Sequence, residues 1–216
     1  MGSLRSNKRS QLVQAAGNLV HKRGFSRTTL ADIAEEAGVR LGNVYYYFKT
    51  KSEIGQAIVD QRAGNLQMLL QMLDKLHGPK ARLHGFIKSA SDNRSVLVRS
   101  GCPVGTLCTE MRKEDGDLSR DAAKNAAKMF GPVLTWLEAQ FRELGLANES
   151  RGMAAHLLSG LQGASLLTNS FGSQTYILEE AERLRRWVGE LKPVRRAQVA
   201  SRRRRTGTSA LGVSSD

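Results

Sequence analysis

The sequence predicts an all-α protein. Apolar residues recur at helical spacing along most of the chain, alternating runs of β-branched residues are almost absent, and proline occurs at only four positions. A hydrophobic fraction of 40% is enough for a packed core. With 216 residues, the chain has room for one or two domains.

Three helices are predicted within the first 51 residues. The first helix ends at Gly24 after an apolar face of Leu12, Ala15, Ala16, Leu19 and Val20. Thr29 and Asp32 suit a capping box that opens a short second helix, which ends at Gly38. The third spans roughly residues 40–48. Lys8 and Arg9 precede the first helix as a short basic arm.

The rest of the chain also has helical periodicity. Residues 50–53, Thr-Lys-Ser-Glu, predict a second capping box and a long helix to about Leu76. Five further helices are expected near residues 80–99, 104–113, 118–145, 149–170 and 175–191. Proline at position 132 should kink the third of these.

The order of the first three helices fits a helix-turn-helix, whose second short helix enters a major groove. We predict an inner face made by Leu41 or Val44 with Tyr45 and Phe48. We predict an outer face made by Arg40, Gly42, Asn43, Tyr46 and Tyr47. Asn43 can pair with an adenine edge, tyrosines can donate to phosphates, and Lys51 lies at a helix N-terminus that attracts phosphate. Periodicity alone leaves DNA binding and an ordinary helical core equally open.

The formal charge of +13 suggests an anionic partner, and it is unevenly distributed. Residues 1–51 carry a net +6, residues 52–191 a net +1 and residues 192–216 a net +6. The four arginines of residues 202–205 could add salt-dependent phosphate contacts or form an inert end. We therefore expect a DNA-binding domain in 1–51, a helical ligand-binding and dimerisation domain in 52–192, and a disordered tail in 193–216.

Residues 28–39 (TTLADIAEEAGV) and 42–54 (GNVYYYFKTKSEI) resemble the DNA-binding domain of the TetR family of bacterial repressors. The resemblance covers about 45 residues with the correct spacing. It implies a homodimer, a palindromic operator, and repression relieved by a small ligand. The DNA contacts that it implies fall on Thr29, Arg40, Leu41, Asn43, Tyr45, Tyr46, Tyr47 and Lys51. Arg40 departs from the Ser or Thr cap common in the family, so we expect it to face DNA.

Residues 101–111 (GCPVGTLCTEM) resemble a segment found in a subset of this family that includes multidrug-type repressors. The segment marks the helix beside the usual ligand cavity, so an apolar or aromatic effector is expected. The candidate ligand contacts are Leu107, Cys108, Met111, Phe130 and Leu134, chosen from a wider set that includes Phe86, Val104 and Phe141. Each of these residues is more typical of the ordinary core than of a ligand contact.

The last two predicted helices carry long apolar faces and are expected to form a four-helix dimer interface, with intramolecular packing as the alternative. Their apolar residues are Met153, Leu157, Leu158, Leu161, Leu166, Leu167, Ile177, Leu178, Leu184, Trp187, Val188 and Leu191. The small residues Gly160, Gly163 and Ala164 would allow close helix approach.

Several other classes of protein are poorly supported. Two cysteines exclude a disulfide scaffold and fit the cytoplasm, and neither a membrane span nor a signal peptide is evident. The four histidines lack metal-ligand spacing, and no catalytic triad or phosphate loop stands out, so we expect no enzyme, metal or cofactor. Cys102 is either a sensing thiol or a small buried residue. The alternatives to a specific repressor are a non-specific DNA-coating protein and a thiol-dependent enzyme using Cys102.

Overall fold

The computed structural model describes residues 2–114 and 116–192, with side chains from Asn7 onward. All regular structure in these ranges is helical, which confirms the predicted fold class. The predicted tail, residues 193–216, lies outside the described residues.

The described residues form eleven helices. They are α1 (Gly2–Arg23), α2 (Leu30–Glu36), α3 (Leu41–Tyr47), α4 (Lys51–Leu73), α5 (Pro79–Asp92), α6 (Arg94–Ser100), α7 (Pro103–Met111), α8 (Asp117–Arg120), α9 (Ala122–Glu143), α10 (Ser150–Phe171) and α11 (Thr175–Glu190). The predicted basic arm is wrong, because Lys8 and Arg9 lie within α1.

Side-chain caps begin α2 and α4 as predicted, but the second cap is incomplete. Thr29 and Asp32 form both hydrogen bonds of a capping box at α2. At α4, the Thr50 hydroxyl accepts a hydrogen bond from the Glu53 amide at 3.1 Å. The Glu53 carboxylate accepts from the Lys49 amide instead of that of Thr50, so the reciprocal half of the box is missing.

Two of the predicted helices are each divided in two. The segment predicted at 80–99 breaks at Asn93, whose side-chain amide donates to the Ser89 carbonyl at 2.8 Å. The segment predicted at 118–145 breaks at Asp121, between α8 and α9. Within α9 the helix continues through Pro132, and the kink there stays a prediction. Periodicity alone misses such breaks because the apolar pattern continues across them.

The buried apolar residues form two clusters. The first joins α1 to α4 with the side of α7 that carries Val104, Leu107 and Met111. The second joins the remainder of α4 with α5, α6, α9, α10 and α11. The start of α4 belongs to the first cluster through Ile54 and Ile58, although the predicted domain boundary lies before it. We call helices α1–α3 the head and helices α4–α11 the body. The head therefore shares a core with α7 of the body.

Candidate functional site

Helix α3 is held on the head by two side chains one turn apart. Val44 and Phe48 are fully buried and belong to the first cluster. The predicted inner position of Tyr45 is wrong, since 47% of this residue is exposed. Tyr45 directly follows Val44 along α3, and a step of one residue rotates a helical side chain by about 100°. Tyr45 therefore belongs to the exposed side of α3.

Tyr46 and Tyr47 occupy different environments. Their rings form an edge-to-face pair with centroids 4.9 Å apart. Tyr46 is exposed, whereas Tyr47 is half-buried and packs against the first cluster, which corrects its predicted outer position. Tyr47 lies three residues after Val44, so it flanks the buried face of the helix. Its hydroxyl can face a phosphate only from the edge of the interface.

The N-terminal end of α3 is exposed and basic. Arg40 is the N-cap residue, and its side chain makes no capping hydrogen bond, as the sequence predicts. Arg40, Leu41 and Asn43 are all exposed. A Cβ built at Gly42 would meet nothing within 4 Å. This end of α3 has the low profile and the donors that reading a groove requires.

Two further predicted contacts flank α3. The Lys51 ammonium, in the first turn of α4, donates to the Ser26 carbonyl at 3.1 Å and lies 4.5 Å from the Phe25 ring centroid. The Thr29 hydroxyl donates to the Asp32 carboxylate at 2.7 Å. Hydrogen bonds from the Thr29 hydroxyl and amide, followed by the contact with Arg23, lower the pKa of Asp32 to about 2. Asp32 therefore stays ionised and holds the start of α2.

The turn between α1 and α2 is hydrogen-bonded to the end of α7. The Phe25 amide donates to the Glu110 carboxylate at 2.6 Å, and the Ser26 hydroxyl donates to Glu114. A Cβ at Gly24, which has a φ of +93°, would lie 3.1 Å from the same Glu110 carboxylate. The head is thus attached to the C-terminal end of α7 by charge-assisted hydrogen bonds.

A second attachment lies at the opposite end of α7. His21 Nε2 is 2.9 Å from the Gly101 carbonyl, two residues before the helix starts. Burial is the main cause that lowers the pKa of His21, and the nearby Arg62 guanidinium adds to it. The neutral imidazole must carry its proton on Nε2 to donate to this carbonyl. Both ends of α7 are therefore tied to α1 or to the turn that follows it.

A cavity of about 300 Å³ lies in the body, beside the N-terminal end of α7. Its walls come from α4, α5, α6, α7 and α10. The lining residues are Leu66, Leu69, Phe86, Ser89, Ala90, Asn93, Val96, Leu97, Cys102, Pro103, Val104, Leu158, Leu161, Gln162 and Ser165. A groove of about 240 Å³ between α7 and α10 shares Cys102, Gln162 and Ser165 with it.

None of the five ligand residues predicted from the sequence lines this cavity. Leu107 and Met111 are buried in the first cluster, and Cys108 and Phe130 pack against it. Leu134 packs against the second cluster, so these five assignments stay predictions. Of the wider set of candidates, Phe86 and Val104 do line the cavity.

The two cysteines have different environments. Cys102 is the N-cap of α7, where its sulfur accepts from the Gly105 amide at 3.4 Å. Burial, aided by Cys102, raises the pKa of the Cys108 thiol to about 11, so this thiol stays protonated at neutral pH. Sequence reasoning singled out Cys102 but missed His21, Gln162 and Ser165. Glu110 is the acidic residue of the 101–111 segment, so that pattern could have indicated it as a functional residue.

One exposed apolar surface remains on α10 and α11. Four of the eight predicted interface leucines are instead buried in the second cluster of the same chain: Leu157, Leu158, Leu161 and Leu184. Leu166, Leu167, Phe171 and Leu178 stay exposed, and the Phe171 ring stacks on Tyr176 with centroids 5.2 Å apart. We call these four exposed residues the α10–α11 patch.

An exposed helix-turn-helix on an all-helical body is the arrangement found in many DNA-binding transcriptional regulators. Residues 12–58 match the model of the "Bacterial regulatory proteins, tetR family". The chain is 52% identical over 94 residues to the HTH-type transcriptional regulator TtgR of Pseudomonas putida. The aligned segment covers 44% of this chain and 36% of that protein. An uncharacterized HTH-type transcriptional regulator of Lactococcus lactis is 28% identical over 166 residues, and the alignment covers 74% of this chain and 83% of that protein.

The fold also matches solved structures. A TetR family regulator from Agrobacterium tumefaciens superposes with a TM-score of 0.73 at 18% identity, over 84% of this chain and 97% of that one. E. coli NemR in its reduced form superposes with a TM-score of 0.68 at 20% identity, over 83% of this chain and 97% of that one. The family-model match and the relatives show that part of the chain is similar to regulatory proteins of the tetR family, and the solved structures show the fold. Among the described residues, no helix has the length and hydropathy needed to cross a bilayer.

Proposed function

We propose that the chain is a homodimeric repressor that binds a palindromic operator and leaves it when a small molecule occupies the body cavity. The observation that carries this proposal is the position of α7 between the cavity and the head. One end of α7 lines the cavity through Cys102, Pro103 and Val104, and its other end binds the head through Glu110. A ligand that moves α7 must therefore also move the head or strain these hydrogen bonds.

The DNA contacts follow from the exposed end of α3. Arg40, Leu41 and Asn43 would reach base edges, while Tyr45 and Tyr46 would lie along the phosphates. The DNA sugar-phosphate backbone would be contacted at the margin of the interface by Tyr47, Thr29 and Lys51. Lys51 can exchange the Ser26 carbonyl for a phosphate, because its ammonium is a mobile donor.

The α10–α11 patch supports dimerisation. Exposed leucine and phenylalanine side chains on two neighbouring helices favour a surface that a second chain would cover. Two such patches related by a two-fold axis would make a four-helix interface. The two α3 helices would then lie about 34–36 Å apart, one turn of DNA.

Two finer assignments belong to the same proposal. The domain boundary at residue 51 would separate DNA reading from ligand binding, with α4 connecting the two functions. Membership of the multidrug-type subset is supported only by the 101–111 segment. The effector would enter the cavity between α4, α5, α6, α7 and α10.

Selection from a random double-stranded DNA library tests the proposal and identifies the operator in the same experiment. Purified protein should enrich an inverted repeat whose half-sites lie about one helical turn apart. A non-specific DNA-coating protein would enrich no common sequence, and unrelated DNA would compete equally well. Either of those results would overturn the assignment.

A further inference from the structure

The chemistry of the cavity lining narrows the class of effector. Of the described residues that line the cavity, none is Asp, Glu, Lys, Arg or His. A charged ligand would lose its hydration there without gaining a counter-charge, which is strongly unfavourable. The walls are formed mainly by Leu, Val, Phe, Ala and Pro. An uncharged and largely apolar molecule fits this lining.

The polar groups of the cavity differ in their availability. On the α5 side, the Ser89 hydroxyl donates to the Phe86 carbonyl at 2.7 Å, and the Asn93 amide donates to the Ser89 carbonyl. On the α10 side, the side chains of Gln162 and Ser165 have no hydrogen-bond partner among the described residues. Gln162 and Ser165, one turn apart on α10, are therefore lining side chains whose donors and acceptors are all unused within the described residues.

The position of Gln162 depends on a glycine of α7. A Cβ at Gly105 would lie only 2.6 Å from Gln162 Oε1. The Gln162 side-chain amide can therefore lie against α7 only because Gly105 has no side chain. Gln162, Ser165 and Cys102 also line the groove that leads outward between α7 and α10. The available polar groups thus stand where the cavity meets this groove.

We propose that the cavity binds an uncharged, mainly apolar molecule whose single hydrogen-bonding end is held by Gln162 and Ser165. The apolar part lies against Phe86, Leu97 and Leu161. This inference rests on the proposed function only in taking the cavity to be the effector site. Binding itself can be measured without DNA, so the two proposals fail separately.

The test uses the neutral fluorophore N-phenyl-1-naphthylamine on the full-length protein, displaced by four naphthalene compounds. They differ in one substituent: naphthalene has none, 2-naphthol is neutral and polar, 2-naphthoate is an anion and 2-naphthylmethylamine is a cation. We expect 2-naphthol to displace the fluorophore at concentrations about fivefold to tenfold lower than naphthalene, the value of one hydrogen bond. The two charged compounds should displace the fluorophore less effectively than either naphthalene or 2-naphthol. A charged compound that equals 2-naphthol would overturn the proposal.

Two pairs of variants locate the binding. Val96→Trp fills the cavity, while Val98→Trp places the same change on the same helix outside the lining. Only the first should abolish the fluorescence increase. Gln162→Leu and Ser165→Ala should remove the preference for 2-naphthol and leave naphthalene unchanged. A preference that survives both polar substitutions would contradict the assigned anchor.

Gly105→Ala provides an independent check. The added methyl group must displace the Gln162 amide, so the preference for 2-naphthol should also fall in this variant. If the probes bind as expected but leave operator binding unchanged, the cavity chemistry stands and ligand-controlled repression is wrong.

Discussion

The Glu110 carboxylate at the end of α7 accepts a 2.6 Å hydrogen bond from the Phe25 amide, 85 residues away in sequence. The amide lies in the turn immediately before the helix-turn-helix, and α7 begins at the cavity wall. This contact connects the helix that begins at the cavity wall to the head, as the His21–Gly101 hydrogen bond does at the other end of α7. It makes Glu110 the first residue to test.

Removing this carboxylate should weaken the connection between ligand and DNA. Glu110→Ala leaves the Phe25 amide without a partner, which should lower the free energy of unfolding by about 1–3 kcal/mol. The same variant should reduce the effect of a cavity ligand on operator affinity. Chemical denaturation and DNA-binding titrations with and without ligand measure the two effects.

The matched control is Glu110→Gln, whose side-chain oxygen can still accept from the amide. It should recover much of the stability and the ligand response. If Glu110→Ala responds to ligand like the wild type, α7 does not transmit the signal through this contact.

The attachment at the other end of α7 should depend on pH. Burial lowers the pKa of His21 in the folded protein, so the unfolded chain binds more protons near pH 6. Stability from this site is therefore present above the ordinary histidine pKa of 6.5 and is lost as the pH falls below it. Thermal unfolding across this range should show the wild type losing stability on acidification.

His21→Gln separates this site from the other histidines. Its amide can donate to the Gly101 carbonyl but does not titrate in this range. Its stability should change less between neutral pH and about pH 5.5 than that of the wild type. Identical pH profiles for the two proteins would disprove the neutral His21 hydrogen bond as the source.

The α10–α11 patch should control the oligomeric state. Phe171 is 65% exposed, so Phe171→Asp should leave the fold intact while placing a carboxylate in the proposed interface. We expect dimer dissociation to increase by more than about 30-fold, as for a central interface residue. Met72, equally exposed on α4, provides the control Met72→Asp. Sedimentation equilibrium that finds no difference between these variants would place the interface elsewhere.

The exposed end of α3 should determine sequence preference. Asn43→Ala should reduce affinity for the selected operator by about 1–3 kcal/mol and relax the preference at one base position. Arg99→Ala, an exposed change on α6, should have no such effect. Binding measured on operators that are substituted one base pair at a time distinguishes the two. A variant with unchanged base preference would remove Asn43 from the reading surface.

Local signals allowed much of the head to be predicted. Thr29 and Asp32 form a capping box because both hydrogen bonds lie within four residues, which a sequence pattern can encode. Tyr45 and Tyr47 exchanged their expected exposures because α3 has only two turns. Helical spacing allows either tyrosine to flank Val44 and Phe48, and packing in the first cluster selects Tyr47.

The body was harder to predict. Leu107 and Met111 occupy the side of α7 that packs against the head, while Cys102 and Pro103 at its start line the cavity. Which side of α7 faces the cavity depends on contacts with α1 and α10 that are distant in sequence. The same distance hides the His21–Gly101 hydrogen bond from any local pattern.

The central claim is sequence-specific binding by a dimer, and one titration tests it most directly. A fluorescently labelled duplex with the selected inverted repeat and a scrambled duplex of equal length are titrated with the protein at the same salt concentration. We expect two chains per duplex and a preference of at least about 10³-fold for the inverted repeat. Equal affinity for both duplexes, or one chain per inverted repeat, would contradict it.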